Sequence, residues 1–496
     1  MTAVIVACDL RRPGTPLAHA WEQCVGSGHA LLALRADFQA QLQRCHDELG
    51  MQRVRFHALL SDDLGTLVCE QNKLLYSFFN IDTIWDGLLA MGVRPFVELS
   101  FMPSTLASGN ATVFQYRGNI TPPRDRAEWA ALVHRLATHS IQRYGVDEVS
   151  GWFFEVWNEP NLSAFWTGTQ ADYFALYRDT ATALKRVSDR LHVGGPATAD
   201  DQWIAAFVEF CESGHVPLDF VSTHHYPTDA FGRPGDDTEA QLAASSRSVL
   251  RDRARVTRQL VGGRPLYYTE WSTSSNSRDV LHDEPYAASV IIKTMLEARG
   301  LVDGYSWWAF SDIFDENYFP SIPFHGGFGL LNLYGIEKPS YRAFELLHRL
   351  GTDLVFALED QHPTVDAWVV RQPDGLGTTV VVTNHALPRH PIAMEHVHIR
   401  LDGVAPPGAV IVRRIDADHA NPKGRWQALG SPTYLSPAQV AELHDASRLA
   451  LEHQPWTYQD GSLHIELDLP PHGVVAVTID RAAHAASPDT APMDCV

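Results

Sequence analysis

The chain has 496 residues, of which 45% are hydrophobic and 10% aromatic, a composition that suits large cores and excludes a disordered or fibrous protein. Its formal net charge of −20 argues against an electrostatic role on nucleic acid or on an anionic membrane. No apolar run is long enough to predict a transmembrane helix, and the start lacks a basic, apolar signal segment, so we expect a cytoplasmic protein.

Strand-like and helical segments alternate from about residue 20 to residue 350. Residues 53–57 and 93–99 predict buried strands, and residues 79–91 between them place apolar side chains at helical spacing. Helical patterns over 129–144 and 171–191 continue the alternation, and further strands are predicted at 151–157, near 193, and at 218–223, 266–269 and 305–308. About eight such units predict a (β/α)8 barrel over residues 17–350. A doubly wound sheet is the alternative, but no glycine-rich phosphate loop opens a helix.

Beyond Gly351 the pattern changes to short strands separated by Pro, Gly and Asn clusters. This pattern predicts an accessory antiparallel β-sandwich. The N-terminal strand-like segment needs a partner, so we assign residues 1–16 together with residues 351–480 to this second domain. Residues 431–452 predict a helical insertion, and the Ala- and Pro-rich residues 481–496 predict a flexible tail. We expect the sandwich to brace the barrel, although a carbohydrate-binding role is the alternative.

Cofactor and metal motifs are missing from the sequence. The six cysteines are scattered without a C-x-x-C pair, which favours reduced thiols over disulfides or a metal site. There is no H-E-x-x-H motif, and the pair His396 and His398 has no third ligand near it in sequence. A serine esterase is disfavoured because no G-x-S-x-G elbow occurs. We therefore expect neither a metal nor an organic cofactor.

Two predicted strand ends carry a glutamate beside aromatic residues. Strand four ends in Trp-Asn-Glu-Pro at residues 157–160, and strand seven ends in Tyr-Thr-Glu-Trp at residues 268–271. Because the carboxyl ends of barrel strands meet at one mouth, we expect Glu159 and Glu270 to face each other there. Such a pair can cleave a glycosidic bond, one carboxyl protonating the leaving oxygen while the other attacks the anomeric carbon or activates water. The alternative is that each glutamate is a paired charge in a polar strand cap.

These two segments resemble the catalytic strands of the clan of barrel glycosidases with catalytic glutamates on strands four and seven. More closely, the chain resembles glycoside hydrolase family 39, which contains β-xylosidases and α-L-iduronidases. The resemblance covers most of residues 20–350 and extends weakly into the sandwich. It is carried by these stretches: residues 26–30, 55–57, 94–103, 154–162, 222–227, 308–312 and 324–329.

The resemblance implies a retaining reaction in which Glu159 is the general acid/base and Glu270 the nucleophile. Arg55 and Tyr226 would contact Glu270, and Arg55 would lower its pKa and keep it ionised. The resemblance also implies a group of substrate contacts: Asn158, His57, His224, Trp308 and Glu316.

Several assignments stay open at this point. A structural role is an equal alternative for His57, and Glu98 is expected to pair with a nearby arginine. The family shows glutamate more often where this chain has Asp315, so the sequence does not decide whether Asp315 or Glu316 contacts the sugar. The role of His29 is also open.

The expected substrate is a neutral pentoside. A uronide would need cationic partners, whereas the loops after strands seven and eight offer Arg278 among the acidic residues Asp312, Asp315 and Glu316. We therefore expect an exo-acting β-1,4-xylosidase that releases xylose from xylo-oligosaccharides. The alternatives are an α-L-iduronidase-like or α-L-arabinosidase activity and, in a different class, a non-catalytic glycan-binding barrel. The sequence does not distinguish a monomer from a homo-oligomer.

Overall fold

The computed structural model describes residues 3–228, 235–316, 319–372 and 377–481. Strands up to residue 307 are β1 (Val4–Asp9), β2 (Thr15–Pro16), β3 (Val25–His29), β4 (Arg53–His57), β5 (Leu67–Glu70), β6 (Lys73–Tyr76), β7 (Arg94–Leu99), β8 (Thr112–Val113), β9 (Gly118–Asn119), β10 (Phe153–Val156), β11 (His192–Ala199), β12 (Phe220–His224), β13 (Leu266–Trp271) and β14 (Gly304–Trp307). Later strands are β15 (Asp353–Leu358), β16 (Val365–Arg371), β17 (Gly377–Asn384), β18 (Glu395–Asp402), β19 (Pro407–Ile415), β20 (Glu452–His453), β21 (Trp456–Gln459), β22 (Ser462–Leu469) and β23 (Val474–Arg481).

The α-helices are α1 (Ala36–Leu49), α2 (Phe79–Ala90), α3 (Arg126–Tyr144), α4 (Val146–Val149), α5 (Gln170–Val187), α6 (Ile204–Ser213), α7 (Thr238–Ala243), α8 (Val249–Val261), α9 (Pro285–Glu297), α10 (Pro339–His348), α11 (Pro422–Ala428) and α12 (Pro437–Ala446). Within the described ranges, none of these is long and apolar enough to cross a bilayer. Helix α5 stops before the expected residue 191, because Ser188 takes an extended backbone. The insertion expected over 431–452 contains α12, whose start is fixed by a capping box between Ser436 and Gln439.

Eight parallel strands close into a barrel in the order β3, β4, β7, β10, β11, β12, β13 and β14. The chain order of these strands equals their order around the barrel, so they are barrel strands one to eight. This arrangement confirms the predicted (β/α)8 fold class. Strand four of the barrel is β10 and strand seven is β13.

The barrel interior is built in two layers. An aromatic layer packs around Cys24 and consists of Phe96, Phe153, Phe220 and Tyr267. Side chains two positions apart on a strand point to the same face, so the next inward residues on these strands form a buried polar layer: Glu98, Glu155, Ser222 and Thr269. The aromatic layer closes the barrel beneath the polar layer, which lies toward the carboxyl ends of the strands where barrel active sites form.

Two sheets form the accessory sandwich: β1-β18-β22-β21 and β2-β15-β16-β17-β23-β19-β20. They share one apolar core, in which Val6 of β1 packs with residues such as Val369 and Ile399. The pairing is antiparallel apart from β1, which lies parallel to β18. The opposite face of β16 contributes Trp368 to the main core, so this strand is buried on both faces and residues 367–370 form a continuous apolar run.

The described cysteines are free thiols: Cys8, Cys24, Cys45, Cys69 and Cys211. Burial raises the pKa of the Cys8 thiol to about 11, which keeps this sulfur protonated and unreactive. Of the tail expected over 481–496, Arg481 ends β23, and the remainder with Cys495 lies outside the described residues.

Candidate active site

Arg55 is the centre of the polar layer. It is completely buried on β4, and its Nε donates to Glu155 at 2.5 Å while Nη1 donates to Glu270 at 2.8 Å. Its Nη2 donates to Asn158 Oδ1 at 2.9 Å and lies 2.8 Å from a carboxylate oxygen of Glu98. One guanidinium therefore faces three carboxylates, and its planar fork fixes their relative positions.

Glu270, at the end of β13, is held through both of its oxygens. Arg55 donates to Oε1 at 2.8 Å and the Tyr226 hydroxyl donates to Oε2 at 3.0 Å. The sequence predicts a lowered pKa from Arg55. Arg55 does act in that direction, but burial outweighs it because this guanidinium is shared with Glu98 and Glu155, and the net pKa of Glu270 lies above the ordinary value of 4.5.

Glu159 lies just beyond β10, in a backbone conformation that side chains rarely adopt. Its φ is +42° and that of Trp157 is +71°, both in the left-handed region. Such residues persist where their surroundings hold them, and here the Glu159 N–H donates to the Ala197 carbonyl at 2.8 Å. The Trp157 indole N–H donates to the Phe165 carbonyl at 2.9 Å. These bonds aim the Glu159 carboxyl into the barrel mouth.

The two glutamates lie close together beside His224. Glu159 Oε1 lies 3.0 Å from His224 Nδ1, and one oxygen of Glu159 lies within 4.8 Å of one oxygen of Glu270. Retaining glycosidases hold their carboxyls about 5–5.5 Å apart, whereas inverting enzymes need about 6.5–9.5 Å to admit a water. An oxygen-to-oxygen distance below 4.8 Å is compatible with the retaining arrangement.

His57 and Glu98 form a buried pair beside this centre. His57 Nδ1 lies 2.7 Å from Glu98, and its Nε2 lies 3.6 Å from Glu270 and 3.5 Å from Glu316. Glu98 contacts Arg55, as expected from the sequence, and also Ser100. One edge of His57 is therefore fixed by a carboxylate while the other faces the mouth.

The segment after β14 places two acids on different sides. Glu316 is buried, and burial followed by repulsion from Glu270 raises its pKa well above 4.5, which favours its protonated form. Asp315 instead faces His29, whose Nδ1 lies 3.4 Å away, and Asp63 contacts the other ring nitrogen at 2.6 Å. Burial alone would lower the pKa of His29, but these two carboxylates raise it to about 9. The positively charged His29 therefore connects the loop that carries Asp63 with the loop that carries Asp315.

Trp308, directly after β14, packs on the first barrel strand. A Cβ on Gly26 would lie 2.5 Å from the Trp308 ring, so a glycine is required there. The indole also lies against His57, with ring centroids 4.7 Å apart. Trp308 therefore forms an apolar wall beside the glutamates.

Two buried residues that the sequence analysis did not single out join this site, and a third, Lys338, pairs with acids of neighbouring loops. Glu155 and Thr269 belong to the polar layer, and Thr269 donates to Glu155 at 2.8 Å. Lys338 is completely buried between Asp283 and Asp312, with 2.7 Å to each. Glu155 and Thr269 each lie two residues after an inward aromatic residue, and this spacing could have predicted them from the sequence. Lys338 lies in a loop without such a pattern.

Two groups of side chains in the described ranges have the spacing of metal ligands: Glu159 with His224 and Glu270, and Glu297 with Asp360 and Asp366. Hydrogen bonds already explain the first group. In the second, Lys293 contacts Glu297 and lies 3.2 Å from Asp366, while Arg251 lies 2.6 Å from Asp360. Resident cations thus neutralise the second group, and neither group needs a metal to account for it.

Comparisons with known proteins identify relatives over nearly the whole chain. The model for Glycosyl hydrolases family 39 matches residues 4–464. A β-xylosidase of Caldicellulosiruptor saccharolyticus is 48% identical over 92% of this chain and 95% of its own length, and one of Geobacillus stearothermophilus is 34% identical over 94% of each. The crystal structure of a monomeric β-xylosidase from Caulobacter crescentus CB15 superposes with a TM-score of 0.86 at 34% identity, covering 97% of this chain and 100% of that one.

Proposed function

The chain belongs to glycoside hydrolase family 39, and we propose that it is a retaining, exo-acting β-1,4-xylosidase that releases xylose from the non-reducing end of xylo-oligosaccharides. The observation that carries the proposal is the approach of Glu159 and Glu270 to within 4.8 Å at the barrel mouth. Arg55 and Tyr226, which hold both oxygens of Glu270, support its role as the nucleophile.

The reaction follows from these roles. The Glu270 carboxylate attacks the anomeric carbon while the bond to the leaving oxygen breaks, and the Glu159 proton passes to that oxygen. A glycosyl ester on Glu270 results. Glu159, now a carboxylate, removes a proton from water as that water attacks the anomeric carbon, which frees xylose and restores both glutamates. Asn158 and His57 are proposed to hold sugar hydroxyls, and Trp308 to pack on the ring.

A neutral substrate fits the charges around the mouth. A uronide carboxylate would need a cation, but Lys338 is already paired with Asp283 and Asp312. His29 is likewise paired with Asp63 and Asp315. The three carboxylates that share Arg55, those of Glu98, Glu155 and Glu270, would repel another anion. These pairings favour xylosides over uronides.

A panel of aryl glycosides tests the substrate class. We expect kcat/KM for an aryl β-D-xyloside to exceed that for the matching α-L-iduronide by about 100-fold or more, because burying an unpaired carboxylate is costly. The α-L-arabinoside in the same panel measures the side activity. A preference for the iduronide would overturn the substrate, and glycan binding without hydrolysis of any member would support the non-catalytic alternative.

Chelation tests the expectation that no metal takes part. Exhaustive dialysis against EDTA is expected to leave kcat and KM for the aryl xyloside unchanged, because carboxyl groups supply both proton transfer and nucleophilic attack. Dialysis without chelator is the control. Loss of activity that one divalent ion restores would contradict the expectation.

We propose that the accessory sandwich braces the barrel through strand β16. Asp366 on that strand lies 2.5 Å from Arg247 and 3.2 Å from Lys293 of the barrel, and Trp368 enters the main core. These buried contacts support a structural role for residues 1–16 and 351–480 beside a catalytic unit over residues 17–350. The cytoplasmic location and the oligomeric state stay predictions.

A further inference from the structure

A chain of four buried side chains ends on the proposed acid. Thr269 Oγ1 donates to Glu155 Oε1 at 2.8 Å, and His224 Nε2 lies 3.1 Å from the same Thr269 oxygen. At the other edge of the ring, His224 Nδ1 lies 3.0 Å from Glu159 Oε1. Arg55 anchors the far end because its Nε donates to the second oxygen of Glu155. The chain thus runs from an ion pair in the polar layer to the barrel mouth.

The number of hydrogens that each group carries fixes the donor and the acceptor of each hydrogen bond in this chain. A threonine hydroxyl has one proton, and the Glu155 carboxylate can only accept, so the Thr269 proton points to Glu155. The Thr269 oxygen then has lone pairs toward His224, and the contact at 3.1 Å requires a proton on Nε2. Arg55 Nη2 also lies 3.4 Å from Nε2, but its two hydrogens have nearer acceptors in Asn158 at 2.9 Å and Glu98 at 2.8 Å.

His224 carries a single ring proton. The side chain is completely buried, and burial followed by the positive charge of Arg55 lowers its pKa well below 6.5, so the ring is neutral. With its proton on Nε2, the ring presents a bare Nδ1 to Glu159. A bare nitrogen 3.0 Å from a carboxyl oxygen is a favourable contact when that carboxyl is protonated and donates to it.

We propose that Glu155 and Thr269 are positioning residues that hold His224 in its Nε2–H tautomer, so that Nδ1 accepts the catalytic proton of Glu159. This inference rests on the acid/base role proposed for Glu159. Before glycosylation, the contact keeps Glu159 protonated and orients its hydroxyl. After the proton has left, the Glu159 carboxylate faces a nitrogen lone pair, which strengthens it as the base that activates water.

Other charged and titratable groups face this pair and are common to every variant below. Glu270 lies 3.6 Å from His224 Nδ1, and Arg55, His57 and His225 act on the imidazole from β4 and β12. On the side of Glu159, Tyr226 and Glu316 are close enough to interact electrostatically with its carboxyl. A comparison of Thr269→Val with the unaltered protein therefore isolates the contribution of the Thr269 hydroxyl.

Replacing Thr269 with valine removes the hydroxyl and keeps the shape of the side chain. His224 is then free to move its proton to Nδ1 and donate to Glu159, which favours the ionised carboxyl. We expect the basic limb of kcat/KM to move to lower pH by about half to one unit, the worth of one hydrogen bond. At the upper edge of the profile, kcat/KM for xylobiose should fall by about two- to tenfold, while 2,4-dinitrophenyl β-xyloside, which needs no acid, should change little.

Matched variants separate this role from a structural one. Thr269→Ser restores the hydroxyl and should restore the wild-type profile. Thr223→Val removes another buried hydroxyl, which donates to the Thr198 carbonyl at 2.9 Å, and should leave the basic limb unmoved. Glu155→Gln offers a second route if Thr269→Val does not fold. Its amide N–H would donate to Thr269, reverse the hydroxyl, and shift the basic limb in the same direction.

The outcomes distinguish this inference from the proposed function. Equal losses on both substrates in Thr269→Val, with the basic limb in place, would overturn the tautomer inference even if Glu159→Ala discriminates between leaving groups. If Glu159→Ala itself shows no such discrimination, the acid/base assignment fails first. A basic limb that moves downward in Thr269→Val and returns in Thr269→Ser supports the inference.

Discussion

Glu270→Gln is expected to lower kcat for every xyloside by about 10⁴-fold or more, because the amide cannot form the covalent intermediate. The residue ends β13 with both oxygens held by Arg55 and Tyr226, so the loss removes a nucleophile that is already aligned. Glutamine keeps the size of the side chain, and its carbonyl oxygen can still accept from Arg55. Activity on an aryl xyloside measures the effect, with the exposed sandwich variant Glu466→Gln as the control.

Direct trapping identifies the same residue in the unaltered protein. A 2-fluoro-xyloside with an activated leaving group should form an ester on the peptide that contains residues 268–271. Proton NMR during early turnover should detect β-xylose before mutarotation, because two displacements restore the configuration. If α-xylose appears first, the enzyme inverts and Glu270 is a general base. Labelling of a different carboxyl would remove Glu270 from the nucleophile role.

Glu159→Ala is expected to discriminate sharply between leaving groups. For substrates with poor leaving groups, such as xylobiose, the glycosylation step should slow by about 10²–10⁴-fold, which is the usual contribution of a positioned general acid. Substrates with good leaving groups need no protonation of the leaving oxygen, so their glycosylation rate should be largely preserved. Azide, small enough to enter the space left by the carboxyl, should accelerate turnover and yield β-xylosyl azide. Equal losses for all leaving groups would contradict the acid role.

The pH profile completes this test. Wild-type kcat/KM should be bell-shaped, because Glu270 must be ionised and Glu159 protonated. Burial raises the pKa of Glu270 above 4.5, so activity should fall with decreasing pH through a value above the ordinary glutamic acid range. In Glu159→Ala, the basic limb should disappear while the acidic limb stays. A basic limb that survives this substitution would belong to another group.

The sequence was sufficient for the fold class and the two glutamates because both follow from local patterns. Alternation of apolar strands and amphipathic helices predicts a closed parallel barrel, and barrel chemistry is confined to the ends of its strands. Two such ends carry Glu159 and Glu270 in distinctive aromatic surroundings. The resemblance to family 39, not a local pattern, implies the contact of Arg55 with Glu270, and the structure shows it at 2.8 Å.

Other features of the site depend on distances across the barrel, which local patterns do not contain. The pKa of Glu270 is one example, because it depends on how many carboxylates share Arg55. Asp312 is another: from the sequence it is a charge that repels anions, but the fold brings the distant Lys338 to 2.7 Å from it. The sequence also does not decide between Asp315 and Glu316 as a sugar contact, whereas the fold turns the Asp315 carboxylate toward His29.

The sequence by itself determined the barrel and placed the two glutamates at its mouth, because hydrophobic period and strand ends are properties of consecutive residues. The tertiary structure alone decided which buried groups contact one another behind this pair. Glu155, Thr269 and His224 lie on three different strands, and only closure of the barrel brings them into hydrogen-bonding distance. Their proton positions depend on burial and on partners far away in the chain, and these are quantities that no local spacing of residues contains.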